Sequence, residues 1–182
     1  DKSSLNEQMR FVGEALARTQ METGKLVNAL RAAPKTRGRW GEETLKNVLE
    51  LSGLSAHADF TEQSTTTDDD GKMLRPDVII RLPGGRSIII DAKVALSGYL
   101  DAMEATDDVA REACLKKHAQ ELRAHVKALS SKDYSKFVGE SADFVALFIP
   151  GENFFAAAVE RDPSLFEDAM KMRIVIVTPV TL

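Results

Sequence analysis

Residues 75–93 read RPDVIIRLPGGRSIIIDAK, and this stretch predicts the β-hairpin around which the rest of the fold is organised. Two runs rich in Val and Ile, 77–82 and 86–94, flank Pro83-Gly84-Gly85, which has the composition of a short hairpin loop. Alternate residues of a strand share a face. One face of the hairpin is therefore wholly apolar and must pack against another layer; its residues are Val78, Ile80, Leu82, Ile88, Ile90, Ala92 and Val94.

The opposite face of the hairpin carries two aspartates and a lysine. If the loop comprises residues 83–85, Asp77 lies opposite Asp91, with the two β-carbons about 5 Å apart. A two-residue loop would shift the register by one and send the aspartates to opposite faces. Lys93 lies on the same face as Asp91 because the two are separated by one residue. This face also holds apolar residues, a mixture that does not resemble ordinary core.

Two carboxylates at this distance repel each other unless a cation lies between them. Mg²⁺ commonly binds one or two carboxylates and keeps positions for water and phosphate oxygens, so Asp77 and Asp91 are candidate ligands for Mg²⁺ or Mn²⁺. Lys93 is then a candidate catalytic residue that orients or helps deprotonate an attacking water and stabilises a pentacovalent phosphate. The alternative is that Asp91 and Lys93 form a surface ion pair on an edge strand, while Asp77 caps the strand start.

Several separated segments resemble known families. Pro76-Asp77 followed by Asp91-Ala92-Lys93 is similar to the signature of the PD-(D/E)xK nuclease superfamily. Over residues 36–182, the ordered set of segments resembles the RmuC family of DNA recombination proteins. The segments are GRWGE at 38–42, RPD at 75–77, DAK at 91–93, FIPGE at 148–152 and TPVTL at 178–182.

The resemblance implies an α/β fold with a restriction-endonuclease-like core, a mixed sheet flanked by helices, preceded by a coiled-coil helix. It also implies a role in DNA recombination or rearrangement and a metal-dependent endonuclease activity that uses Mg²⁺ or Mn²⁺. The family pattern includes an upstream membrane anchor, an upstream coiled coil and further helical sequence downstream. We therefore expect this chain to be a piece of a longer protein, truncated at the C-terminal end of its domain, with an inner-membrane anchor outside it.

The first helix of the domain contributes another acidic candidate. Residues 41–51 predict a helix that Gly53 ends, and its apolar stripe is Leu45, Val48, Leu49 and Leu51. Glu42 lies one turn before Leu45, which predicts a position on the buried side. The resemblance implies that such a residue assists at the metal. The alternative is a favourable negative charge at a helix N-terminus.

The chain divides near Pro34 into a segment 1–33 and a domain 34–182. Segment 1–33 repeats apolar positions at spacings of four and three, which predicts a coiled coil that forms a homo-oligomer; the alternative is one amphipathic helix packed on its own domain. The repeat comprises Leu5, Met9, Val12, Leu16, Thr19, Thr23, Leu26 and Leu30. A basic cluster without acids follows and is a candidate DNA-binding surface, or else a solvated linker; it comprises Arg31, Lys35, Arg37 and Arg39.

The remaining elements complete the predicted architecture. Residues 58–64 predict a first strand, and 97–129 predict helix with a break near Asp107. Two apolar strands, 143–149 and 173–177, predict parallel neighbours in the sheet interior. The order is thus helix, three antiparallel strands, helix, strand, helix, strand. His118 and His125 lie on one side of the long helix, and we interpret both as packed or solvated because no third metal ligand lies between them.

Composition restricts the classes of partner. The net charge of −4 over 182 residues gives no general attraction for nucleic acid, so DNA binding requires a local basic surface. No apolar run is long enough to span a bilayer, and the single cysteine, Cys114, is compatible with the reducing cytoplasm. Two alternatives to the nuclease stay open. One is a non-catalytic DNA-structure-binding or scaffolding module with a vestigial nuclease site, and the other is a general interaction domain.

Overall fold

The computed structural model describes residues 34–60, 66–67, 73–74, 76–83, 85–93, 96–132, 134 and 144–182. The compact unit that contains the sheet spans Gly38–Leu182. The predicted coiled coil over 1–33 lies outside the described residues and remains a prediction. Within the described part of the chain, no helix is both long enough and apolar enough to cross a membrane.

Helices and strands alternate along the chain after an antiparallel start. The elements are α1 (Pro34–Leu51), a 3-10 turn (Leu54–His57), β1 (Ala58–Phe60), β2 (Thr66–Thr67), β3 (Met73–Leu74), β4 (Val78–Arg81), β5 (Ser87–Ala92), α2 (Ser97–Glu104), α3 (Asp108–Ser130), β6 (Val145–Phe148), α4 (Glu152–Arg161), α5 (Leu165–Lys171) and β7 (Ile174–Val177).

The main sheet is mixed and has the strand order β1-β4-β5-β6-β7. The first three strands are antiparallel, whereas β6 runs parallel to both β5 and β7. Strands β2 and β3 pair separately. The predicted α/β class and the parallel pairing of the two apolar strands are confirmed. The prediction that both lie inside the sheet is wrong for β7, which ends the strand order. The residues of β7 alternate between buried and half-buried. An apolar strand can therefore be covered on its faces without a paired strand on each edge.

The hairpin has the register that the three-residue loop predicts. Val78 pairs with Ile90, and the Leu82 N–H donates to the Arg86 carbonyl at 2.8 Å. Gly85 closes the loop with φ of +76°, a left-handed conformation that favours glycine. The next pair outward from Val78 and Ile90 is Asp77 with Asp91, so both aspartates belong to one face.

Substituting Gly85 tests this loop geometry. Gly85→Ala is expected to lower the free energy of unfolding by about 1–2 kcal/mol, because a left-handed backbone is costly for a residue with a β-carbon. No atom lies within 4 Å of the position a β-carbon would take, so the loss is conformational and not a clash. Gly38→Ala is the matched control, since it also meets open space but lies in helix α1. Urea unfolding should show Gly38→Ala stabilised by about 0.5–1 kcal/mol. A neutral Gly85→Ala would contradict the assigned loop.

The apolar face of the hairpin packs against α1. Leu45 and Leu49 of this helix form one buried cluster with strand residues Val78, Ile80, Ile90, Ala146 and Phe148. The helix begins at Pro34 and not at Gly41, because proline is tolerated in the first turn of a helix. Leu51, predicted in the apolar stripe, is 89% exposed. Two residues advance a helix by about 200°, which turns Leu51 away from the line through Leu49.

The opposite face of the sheet is also core over most of its length, contrary to the sequence interpretation. Ile79 and Ile89 are buried there. Helix α3 contacts β6 and β7 and buries its whole predicted stripe, which comprises Leu115, Ala119, Leu122, Val126 and Leu129. The predicted helix break is confirmed, since the Asp107 side chain caps α3 by accepting from the Ala110 N–H at 2.8 Å. At the end of the hairpin that carries the aspartates, this face changes from apolar core to polar residues.

Candidate metal centre

Asp77 and Asp91 lie at the open end of the hairpin, where β4 begins and β5 ends. Asp77 Oδ2 accepts a hydrogen bond from the backbone N–H of Ala92 at 2.7 Å. Asp91 is only 4% exposed, and its strand lies between β4 and β6. An edge-strand surface ion pair therefore does not describe Asp91. The two aspartates form a carboxylate pair at a largely buried position.

The charge of this pair is partly uncompensated. Burial raises the pKa of Asp77 from its ordinary 3.8 to about 6, and the neighbouring Asp91 charge and that of Glu42 act in the same direction. The Ala92 N–H and the Lys93 ammonium oppose the rise in pKa. A raised pKa means that the charged carboxylate is disfavoured at this position, so a proton or another cation that neutralises the charge is bound more readily. The location thus favours occupation by positive charge.

The raised pKa of Asp77 predicts a pH dependence of stability. Between about pH 4 and 6 the folded chain holds a proton on Asp77 that the unfolded chain has lost, so this group makes the unfolding free energy fall as pH rises. In metal-free protein at pH 7, Asp77→Asn is expected to raise that free energy by about 1–2 kcal/mol, since it removes the charge and keeps an acceptor for Ala92. Urea unfolding at pH 4.5 and 7 measures the difference between the two proteins. An identical pH slope in both would contradict the raised pKa.

Two residues after α3 provide partners for Asp91. Lys132 Nζ lies 3.2 Å from Asp91 Oδ1, and the Tyr134 hydroxyl lies 3.4 Å from the same oxygen. Tyr134 is 4% exposed, and burial followed by the Asp91 charge raises the pKa of its phenol. The phenol therefore stays protonated and donates to the carboxylate.

Lys93 is exposed and lies just beyond the end of β5. Its backbone N–H donates to the Phe148 carbonyl at 3.3 Å, which fixes this residue to β6. Its charge acts on the pKa of Asp77 and of His125. The lysine is thus anchored through its backbone, with its side chain in solvent beside the carboxylates.

Glu42 is exposed, so its predicted position on the buried side of α1 is wrong. The buried line of this helix runs through Gly41, Leu45 and Leu49, four residues apart. Glu42 is nevertheless close enough to the aspartates for its charge to raise the pKa of Asp77. It faces solvent near the carboxylate pair.

The basic candidates are only partly described. Arg31 and the side chain of Lys35 lie outside the described residues. Arg37 and Arg39 belong to helix α1 and not to a linker. Arg39 is 82% exposed and lies 3.9 Å from Glu43 of the same helix. An exposed ion pair of this kind contributes little free energy, so it does not prevent Arg39 from binding a phosphate.

The sequence interpretation did not assign Lys132, Tyr134 or His125 to the site. Lys132 and Tyr134 are separated from Asp91 by 41 and 43 residues, and no local pattern marks them. Burial lowers the pKa of His125, followed by the charge of Lys93, with Lys132 acting in the same direction and Asp91 and Glu121 opposing. Only the packing of α3 on the sheet reveals this proximity.

His118, the other histidine of α3, is a packed residue, as predicted. It is 2% exposed, and its Nε2 lies 2.8 Å from the Phe154 carbonyl oxygen. The described residues contain no group of three or more His, Cys, Asp or Glu side chains that could hold a metal ion. A cation at the hairpin would therefore bind the two aspartates, a backbone carbonyl and water, which is the way Mg²⁺ usually binds.

The chain matches known sequences over its whole length. The model of the RmuC family matches residues 1–182. A protein named DNA recombination protein RmuC homolog from Zymomonas mobilis is 43% identical over 98% of the chain and 40% of its own length. A homolog of the same name from Pseudomonas aeruginosa is 41% identical over all of the chain and 40% of its length. DNA recombination protein RmuC of Escherichia coli K12 is 37% identical over all of the chain and 38% of its length.

The chain spans about two fifths of the length of these relatives. No solved structure matches it. The family match covers the carboxylate pair, Lys93 and the residues that surround them. The chain therefore belongs to the RmuC family.

Proposed function

We propose that this chain carries the catalytic core of a DNA endonuclease that depends on Mg²⁺ or Mn²⁺. The proposal is carried by the hairpin register, which continues from Val78 and Ile90 to Asp77 and Asp91, and by the pKa of Asp77, which is raised to about 6 by burial and by the charge of Asp91. Perturbed carboxylates next to a cationic side chain are typical of catalytic sites. The relatives are named DNA recombination proteins, which supports DNA as the substrate.

The residues fit a hard divalent cation. The carboxylates of Asp77 and Asp91 would hold it, together with the carbonyl of Ala92 and water. When bound, such a cation polarises a phosphate and lowers the pKa of a water molecule. Asp77 is poised for this role because its charge is disfavoured until a cation compensates it.

Lys93 and Glu42 complete the proposed catalytic set. The Lys93 ammonium reaches solvent beside the carboxylates, where it would orient the attacking water and stabilise negative charge that develops on the phosphate. Glu42, exposed at the start of α1, would accept hydrogen bonds from water at the site. The backbone bond from Lys93 to Phe148 keeps the lysine at a fixed position relative to β6.

The wider architecture supports the same proposal. One helix, three antiparallel strands of the main sheet, two helices and a parallel strand follow in order, which fits the restriction-endonuclease-like core that the resemblance implies. We assign DNA backbone binding to the basic residues Arg31, Lys35, Arg37 and Arg39, since the net charge of −4 requires a local basic surface. We further propose that 1–33 is a coiled coil that forms a homo-oligomer, and that the protein acts in the cytoplasm, where its DNA substrate lies.

DNA binding and cleavage, measured together, test the proposal. The chain is incubated with linear duplex, single-stranded and branched DNA, with Mg²⁺, with Mn²⁺ and with a chelator. We expect cutting of at least one substrate that requires the metal. Metal-independent binding without any cutting would instead support a DNA-structure-binding module with a vestigial site.

A further inference from the structure

The proposed metal centre already contains a cation of the chain's own. Lys132 Nζ lies 3.2 Å from Asp91 Oδ1, and the Asp91 side chain is only 6% exposed. Few buried carboxylates remain ionised without a positively charged partner. Lys132 supplies that partner from the segment just after α3, 41 residues along the chain from Asp91.

The two partners of Asp91 differ in how freely they can leave it. The Tyr134 hydroxyl is carried by a ring that is 4% exposed and therefore held in place by its surroundings. The Lys132 side chain is 31% exposed, and its ammonium is at the end of four flexible carbons. Lys132 can move into solvent without disturbing the core, whereas Tyr134 cannot.

An ammonium and a divalent cation would compete at Asp91, because two positive charges bound to the same carboxylate repel each other. Lys93 is not the counter-ion of Asp91, because its side chain is exposed and the residue lies just beyond the end of β5. Both lysines lower the pKa of His125, which is consistent with two ammonium groups on the α3 side of the carboxylates.

We propose that Lys132 is the displaceable counter-ion of the metal-free centre, which leaves Asp91 when a divalent cation binds, while Tyr134 continues to hold the carboxylate. The inference rests on the proposed function, because the competing ligand is the same cation. Its consequence is that Lys132 lowers the affinity for metal and stabilises the protein without metal.

Mn²⁺ affinity measured by titration calorimetry tests the competition. Lys132→Met removes the ammonium and keeps most of the unbranched side chain, so Mn²⁺ is expected to bind about 10-fold more tightly than to the wild type. Lys127→Met is the matched control, since Lys127 is an exposed lysine in the last turn of α3. It should bind Mn²⁺ as the wild type does. Equal or weaker binding by Lys132→Met would overturn the inference.

Urea unfolding without metal gives a second readout that does not depend on activity. In the wild-type background, Lys132→Met should lower the free energy of unfolding more than Lys127→Met does. In an Asp91→Asn background, the two lysine substitutions should lower it equally. If Lys132→Met does not fold, Lys132→Gln replaces it in both experiments. If the losses of stability caused by Lys132→Met and Asp91→Asn are additive, Lys132 is not the counter-ion of Asp91.

The two proposals fail in different ways. If the wild type binds no Mn²⁺, the metal-dependent function is wrong and so is displacement by a cation. If the wild type binds Mn²⁺ and Lys132→Met binds it with unchanged affinity, only the role of Lys132 is wrong. Tighter binding together with a non-additive loss of stability supports both.

Discussion

Asp91→Asn is expected to lower the rate of Mg²⁺-dependent DNA cleavage by on the order of a thousandfold. The amide keeps one oxygen but loses the negative charge that would hold the cation. It also leaves the Lys132 ammonium without its partner at 3.2 Å.

The matched control for this substitution is Asp101→Asn, which makes the same change at an exposed position in α2. It should leave cleavage within about twofold of the wild type. Lys93→Ala should lose cleavage to a similar extent but keep Mn²⁺ binding, since Lys93 is assigned to the water and phosphate and not to the metal. Full activity of Asp91→Asn, or lost activity of Asp101→Asn, would contradict the assigned site.

Phe148→Ala is expected to lower the free energy of unfolding by about 3–5 kcal/mol, the largest loss of stability that we predict. The ring is fully buried in the cluster with Leu45 and Leu49, and truncation leaves a cavity that strand β6 cannot fill. Phe166→Ala is the control, because Phe166 is 45% exposed on α5. Urea unfolding of the two variants measures the difference.

The same substitution should also affect the site. The carbonyl of Phe148 accepts the Lys93 backbone N–H at 3.3 Å, so a displaced β6 would shift the lysine. Cleavage by Phe148→Ala should therefore fall even at temperatures where the variant remains folded. A loss of stability below about 1 kcal/mol would show that Phe148 is not the centre of the core.

The hairpin was predictable because its information is local. A two-residue period determined which side chains share a face of each strand, and the loop left two registers open. The structure has the register of the three-residue loop, which brings Asp77 opposite Asp91. The three-residue loop with Gly85 in a left-handed conformation selects that register. The same local reasoning located the cap at Asp107 and the buried stripe of α3.

The predictions that failed depend on information that a local pattern does not contain. Helical spacing predicted that Glu42 lies on the buried side of α1, but the buried line runs through Gly41 and Glu42 is exposed. The apolar run of β7 predicted an interior strand, but β7 ends the strand order. The place of a strand in a sheet depends on which other strands pair with it, and its own sequence does not contain that information. Lys132 and Tyr134 reach Asp91 only because α3 ends near the hairpin.

The most direct test of the central claim is cleavage of DNA by the wild-type chain with Mg²⁺ and with a chelator in its place, beside Asp91→Asn. The claim is that the Asp77 and Asp91 pair binds a divalent cation with which this chain hydrolyses DNA. It predicts cutting by the wild type with Mg²⁺, none with the chelator, and almost none by Asp91→Asn under either condition. A folded wild-type chain that leaves every substrate intact, or an Asp91→Asn variant that cuts as well as the wild type, would contradict it.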